Sequence, residues 1–130
     1  MKEQAFKELS GKLAGIFHKI EGVEFAYLFG SVARGNEFSF SDMDIAVYLR
    51  GKASLADELR LYSIIGRELK RDNIDLVILN NINNLMLLED IVGYGRVVYD
   101  KNISLRKSFE LRVLHDAIDF KYQRKVFAGR

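Results

Sequence analysis

Two apolar runs, VEFAYLF (Val23–Phe29) and MDIAVYL (Met43–Leu49), constrain this chain more than any other feature. Each has seven residues, rich in Val, Ile, Phe and Tyr. That length and composition read as a buried strand rather than a helix. Between them lies GSVARGNEFSFSD, residues 30–42. The second run carries carboxylates at its mouth, Asp42 just before it and Asp44 inside it. A strand needed for the core gains nothing from two charges at its entrance.

The remaining elements follow from spacing. Phe6, Leu9, Leu13, Ile16, Phe17 and Ile20 recur every three or four residues and predict an amphipathic helix stopped at Gly22. GSVARG reads as a tight turn into a short helix, and NEFSFS as a loop. Ser54 is a candidate cap for a helix with apolar positions Leu55, Leu59, Tyr62, Ile65 and Leu69. NIDLVIL reads as a third strand, NINNLMLLEDIVGYG as a helix ending at glycine, and RVVYD as a short edge strand. With strands and helices interspersed, the fold class is α/β (α+β), a small mixed β-sheet flanked by helices. A chain of 130 residues without proline, repeats or low-complexity segments is expected to be one domain.

Composition excludes several chemistries. There is no cysteine, which removes disulfides, thiolate metal sites and a cysteine nucleophile. Two histidines, His18 and His115, are too few for a histidine cluster, and neither is assigned a catalytic role. The first residues lack an apolar h-region and no apolar run is long enough to span a bilayer, so the expected setting is cytoplasmic. In that setting the NIS sequon at Asn102 carries no meaning. Residues 1–100 hold 12 Lys and Arg against 15 Asp and Glu, whereas residues 101–130 hold 8 against 3. The basic clusters there are short, and a solvated helix explains them better than a nucleic-acid surface.

The chemistry gathers around the acids. Asp42 and Asp44 are two apart, so in an extended segment their side chains fall on one side. Two unscreened carboxylates so close repel, and a hard divalent cation removes the conflict. D-x-D alone is a common loop pattern. Asp75 adds to it, because it sits in NIDLVIL, an otherwise apolar run where a charge is costly unless paired or metal-bound. If the third strand lies beside the second, Asp75 joins the same acidic group, which then suits two-metal phosphoryl transfer. The alternative is that Asp75 marks the strand's start and faces solvent. Gly30 allows close backbone approach to a ligand. Ser31 offers a hydroxyl and an N–H to a phosphate, and Arg34 a charge-assisted contact.

These residues, in the order GSVARGNEFSFSDMD and then NIDLVILN, resemble the G-S-x10-D-x-D pattern of the polymerase-β-type nucleotidyltransferases. Within that superfamily they are similar to the minimal nucleotidyltransferases, the MNT family of antitoxins paired with HEPN-domain toxins. The resemblance covers roughly residues 25–100, including LLEDIVGYGRVVYD. It implies the polymerase-β-like fold and one nucleotidyltransferase domain over 1–130, with its core at about 23–100 and a C-terminal helix at about 104–127. It implies that Gly30 and Ser31, with Arg34, hold the triphosphate of ATP, that Asp42 and Asp44 bind two Mg²⁺ ions, and that Asp75 completes the site. The implied reaction is transfer of AMP to a tyrosine of the HEPN toxin.

The final segment bears on the partner. Leu105, Phe109, Val113, Ala117, Phe120 and Phe127 form one stripe at helical spacing. Leu111, Leu114, Ile118 and Tyr122 form a second, nearly opposite. One stripe docks at home, and the other is left for a partner, a HEPN toxin or a second copy in a homodimer. The core takes nearly the whole chain and leaves no acceptor pocket, which favours an acceptor on another chain. The competing readings are a small-molecule nucleotidyltransferase of the aminoglycoside-modifying type and an antitoxin that acts by binding alone.

Overall fold

The computed structural model describes residues 2–30 and 43–128. Its elements run α1 (Lys2–His18), β1 (Val23–Phe29), β2 (Met43–Leu49), α2 (Leu55–Leu69), β3 (Ile74–Ile78), a 3₁₀ turn (Leu79–Asn81), α3 (Leu85–Tyr94), β4 (Arg96–Asp100) and α4 (Ile103–Ala128). The sheet order is β3-β2-β1-β4. β1 pairs antiparallel with β2 and β4, while β2 and β3 run parallel. The sheet is therefore mixed, as expected.

Alternation along the strands builds two cores. On one face Ala26, Leu28, Ile45, Val47 and Leu76 pack with Leu13, Phe17, Leu61 and Ile65 of α1 and α2. On the other, Phe25, Tyr27, Phe29 and Ala46 pack with Ile91 of α3 and Phe109 and Val113 of α4. The Phe25 ring stacks on Tyr48 at 4.8 Å and meets Phe109 at 5.6 Å, so α4 seats on the aromatic face.

Ser54 caps α2 as the sequence predicts, in a full capping box with Asp57. The backbone N–H and side chain of Ser54 hold the Asp57 carboxyl below its usual range. The core face of α2 matches the expectation at Ile65 and Leu69 and departs from it elsewhere. Leu61 and Ile65 are buried, whereas Leu55, Leu59 and Tyr62 are exposed. Both sets have helical spacing, and contact with the sheet selects between them. α1 ends at His18, and Gly22 takes a positive φ of 95° before β1.

The asparagine-rich stretch before α3 is not α-helical: Asn80 and Asn81 lie in the 3₁₀ turn, and Ile82 to Asn84 are extended or irregular. Asn80 Oδ1 accepts from the backbone N–H of Leu49 at 2.9 Å, and its amide nitrogen donates to Gly51 O at 3.2 Å. Its side chain thereby extends the β2 ladder, and α3 begins only at Leu85, capped by Asn84. Asn102 caps α4, its Oδ1 accepting from Leu105 N–H at 3.1 Å.

The two stripes of α4 separate as predicted over most of their length. Phe109, Val113 and Ala117 are buried and Leu105 half-buried, while Leu111, Leu114, Ile118 and Tyr122 are exposed. Phe120 departs from its stripe at 42% exposure, where α4 passes the beginning of α3.

Candidate functional site

The register of the two central strands creates the site. Asp44 is the second residue of β2 and Asp75 the second of β3, and the parallel pairing sets them directly opposite one another. Partners in a parallel ladder point to the same face, with strands about 4.8 Å apart. Alternation puts both acids on the face of Ala46 and Val77, the side that carries α3 and α4. Asp44 is half-buried and Asp75 is exposed. Both expectations for Asp75 are thus met in part: it joins Asp44, and it faces solvent rather than lying in an apolar interior.

On the other side of β2, Asp44 pairs with Phe29, the last residue of β1. Gly30 follows with φ of 73°. A Cβ added there would collide with the Asp44 carboxylate, whose Cγ lies 3.2 Å from that position. The sequence explains Gly30 by backbone approach to a ligand. The structure supplies a second cause, because the Asp44 carboxylate occupies the space a side chain would need.

Ser31, Arg34 and Asp42 lie outside the described residues, as does the turn-and-helix reading of GSVARG. Among the described residues, no three acids or histidines come together as a metal site. Asp44 and Asp75 supply hard carboxylate oxygens on one face, a donor set that fits Mg²⁺ with further oxygens from substrate and water.

Two supports escape the sequence. Met43, between the paired aspartates, donates its N–H to Asn73 O at 2.9 Å, and Arg71 Nε donates to Asn73 Oδ1 at 2.9 Å. Arg71 is itself fixed by its N–H on Gly66 O at 3.0 Å, behind the left-handed cap at Lys70. The end of α2 therefore holds the strand entrance that carries Asp44. The polar run RDN before the third strand was the only signal.

The second support ties β1 to α4. The Tyr27 hydroxyl donates to the Glu110 carboxylate. Arg106 binds Glu110 at 3.1 Å and Asp100 at 2.6 Å. Burial, and then the bond to Glu110, push the Tyr27 hydroxyl far above the ordinary tyrosine range. The bond to Asp100 comes first among the causes that raise Arg106. Tyr27 thus holds a polar anchor as well as a place in the core, and only the Arg106–Glu110 spacing hinted at it.

A mixed sheet with a glycine turn after β1 and register-paired acids at the heads of β2 and β3 is the frame of a nucleotidyltransferase. The sequence profile of the Polymerase beta, Nucleotidyltransferase family matches residues 11–104, and the chain belongs to that family. None of the curated proteins matches it. Its fold is similar to toxin–antitoxin structures. One is a mutant of the MntA–HpeT toxin–antitoxin, 20% identical with a TM-score of 0.76, covering 92% of this chain and 95% of that one. A toxin–antitoxin with AMP-PNP is 21% identical, again with a TM-score of 0.76 and the same coverage. The third comes from Shewanella oneidensis, a tri-AMPylated HEPN toxin in complex with MNT antitoxin. It is 19% identical with a TM-score of 0.70, covering 99% of this chain and 97% of that one. No helix among the described residues is long and apolar enough to cross a membrane.

Proposed function

We propose that this chain transfers AMP from ATP to a tyrosine hydroxyl of a HEPN toxin, and so acts in the cytoplasm as that toxin's antitoxin. The observation that carries the reading is the parallel register of Asp44 with Asp75 beside the Gly30 turn. Similar folds include an AMPylated HEPN toxin with its MNT antitoxin and a complex with AMP-PNP, which support the choice of nucleotide and partner.

In this reading the chain acts as one nucleotidyltransferase domain. Gly30 and Ser31 cradle the triphosphate, and Arg34 adds charge to it. Asp42, Asp44 and Asp75 would hold two Mg²⁺ ions, which would supply positive charge to offset the charge of the transferred phosphoryl group. The tyrosine oxygen attacks the α-phosphorus in line. Its bond to phosphorus forms as the bond to the bridging oxygen breaks, and pyrophosphate leaves. Asp75, which is exposed to solvent, takes the hydroxyl proton. The toxin is held through the outer stripe of α4.

The test is to incubate the purified chain with ATP, Mg²⁺ and a HEPN toxin, and weigh the toxin by intact mass spectrometry. The expected result is a gain of whole adenylyl groups. Asp44→Asn and Asp75→Asn should each abolish the gain while circular dichroism stays unchanged. Full transfer by both variants would overturn the assignment. Neutralisation of the toxin without any mass gain would make the chain an antitoxin by binding alone.

A further inference from the structure

The outer face of α4 is an apolar seam that no described part of the chain covers. Leu111 and Ile118 are 70% and 67% exposed, Tyr122 is 68% exposed and Leu114 is 40% exposed. Spacings of three and four set them on one stripe, which runs about 18 Å along the helix. In heptad terms Leu111 and Ile118 share one seam position and Leu114 takes the other. Lys107 and Lys125 continue the seam at its two ends. Beside Leu114 the seam opens into a groove of about 480 Å³ against α3, where Met86 and Tyr94 add exposed apolar surface. A continuous apolar strip of this kind with a polar rim marks an interaction surface.

Charge decides what fits it. The exposed part of α4 carries Lys107, Arg112, Lys121, Arg124 and Lys125 against Asp116 and Asp119, while Glu89 and Asp90 line the groove and Glu89 holds Lys121. Self-pairing in the antiparallel register that brings Leu114 onto Ile118 is disfavoured, because it sets Lys107 of one copy against Lys125 of the other, at both ends. Like charges across a helical seam select against self-pairing, whereas acidic flanks complete it. We propose that the α4 seam docks one amphipathic helix of another protein, apolar along its centre and flanked by Asp and Glu. This rests on the reading that the acceptor belongs to another chain, and it adds the chemistry by which that chain is recognised.

Two synthetic helical peptides of about 24 residues test it, identical in a Leu/Ile seam and differing only in Glu or Lys flanks. Their binding to the full chain is followed by fluorescence anisotropy. The Glu-flanked peptide should bind, more weakly as salt rises, and the Lys-flanked peptide should not. Ile118→Asp and Leu111→Asp, both at exposed positions, should each weaken binding by about tenfold or more. Lys107→Glu combined with Lys125→Glu should reverse the preference. Equal binding of both peptides, no binding of either, or binding indifferent to Ile118→Asp would overturn the proposal. So would a dimer on sedimentation that Ile118→Asp converts to a monomer, which would give the seam to a second copy. The Asp44→Asn chain should bind the peptide as the parent does, so loss of transfer and loss of docking are read separately.

Discussion

Replacing Gly30 with alanine separates backbone strain from damage to the site. Gly30 has φ of 73°, where an L-residue costs about 1–2 kcal/mol. Gly51 has φ of 77°, yet a Cβ there meets nothing within 4 Å. Gly51→Ala is thus a matched control with the same backbone penalty and no collision. Gly51→Ala should lose about 1–2 kcal/mol in urea denaturation, a fall in Tm of roughly 4 °C per kcal/mol, and Gly30→Ala at least as much. Only Gly30→Ala must also displace the Asp44 carboxylate, because the new Cβ falls on it. A shift of about 1 Å in a positioned group costs on the order of 10²-fold in rate. Mg²⁺-dependent adenylyl transfer by Gly30→Ala should therefore fall about a hundredfold below that of Gly51→Ala, measured with ATP and the HEPN protein by intact mass. If the two variants transfer within about threefold of each other, Asp44 is not held by the Gly30 turn in the way the reaction needs.

Tyr27→Phe should flatten the alkaline limb of stability. Burial and Glu110 raise the Tyr27 hydroxyl, so its contribution is complete below about pH 10. Above that the unfolded chain ionises first, and stability falls by about 1.4 kcal/mol per pH unit. The difference between parent and variant in urea midpoints at about pH 8 and about pH 11 reads this, and an unchanged difference refutes it. Arg106→Ala leaves the Asp100 and Glu110 carboxylates, 16% and 23% exposed, without their shared cation, and should cost about 3 kcal/mol in chemical denaturation. Ser54→Ala removes the cap and box of α2, and its Tm should fall by an amount matching about 1 kcal/mol. Arg71→Ala removes one hold on Asn73 and should raise the Mg²⁺ concentration for half-maximal transfer, whereas Arg71→Lys, which keeps a donor, should recover part of it.

The strands were legible because each is a dense apolar run with sharp ends. VEFAYLF, MDIAVYL and RVVYD coincide with β1, β2 and β4 residue for residue. The face of α2 was legible only in part: Ile65 and Leu69 pack as expected, but Leu55, Leu59 and Tyr62 share their helical spacing and stay exposed, and only the sheet chooses. The Asn80 and Asn81 side chains replace backbone partners across about thirty residues of sequence, which no local pattern announces. For the site, the sequence named Asp44 and Asp75, but whether they meet depends on the β2–β3 register. That register is fixed by long-range pairing and by the Asn73 carbonyl on Met43. The burial argument for Asp75 was misplaced in detail. An edge strand can expose a charge at its second residue and still align it with its neighbour.

The acids and the long helix share a side of the sheet, and that bears on how an acceptor could arrive. Asp44 and Asp75 face the side of Ala46 and Val77, and Phe109 of α4 packs on Phe25 and Tyr48 of that same side. α1 and α2 close the opposite side with Leu13, Phe17, Leu61 and Ile65. A protein seated on α4 therefore lies on the side to which both acids point, and its hydroxyl needs no path around the sheet. The Tyr27–Glu110 bond fixes the helix to the strand that leads into Gly30, so the proposed docking surface and the proposed phosphate turn hang from one element. With β1 shared, the distance from seam to acids is set by packed core rather than by a loop. In the proposed reaction, a fixed offset of that kind would present the nucleotide to one residue of the partner.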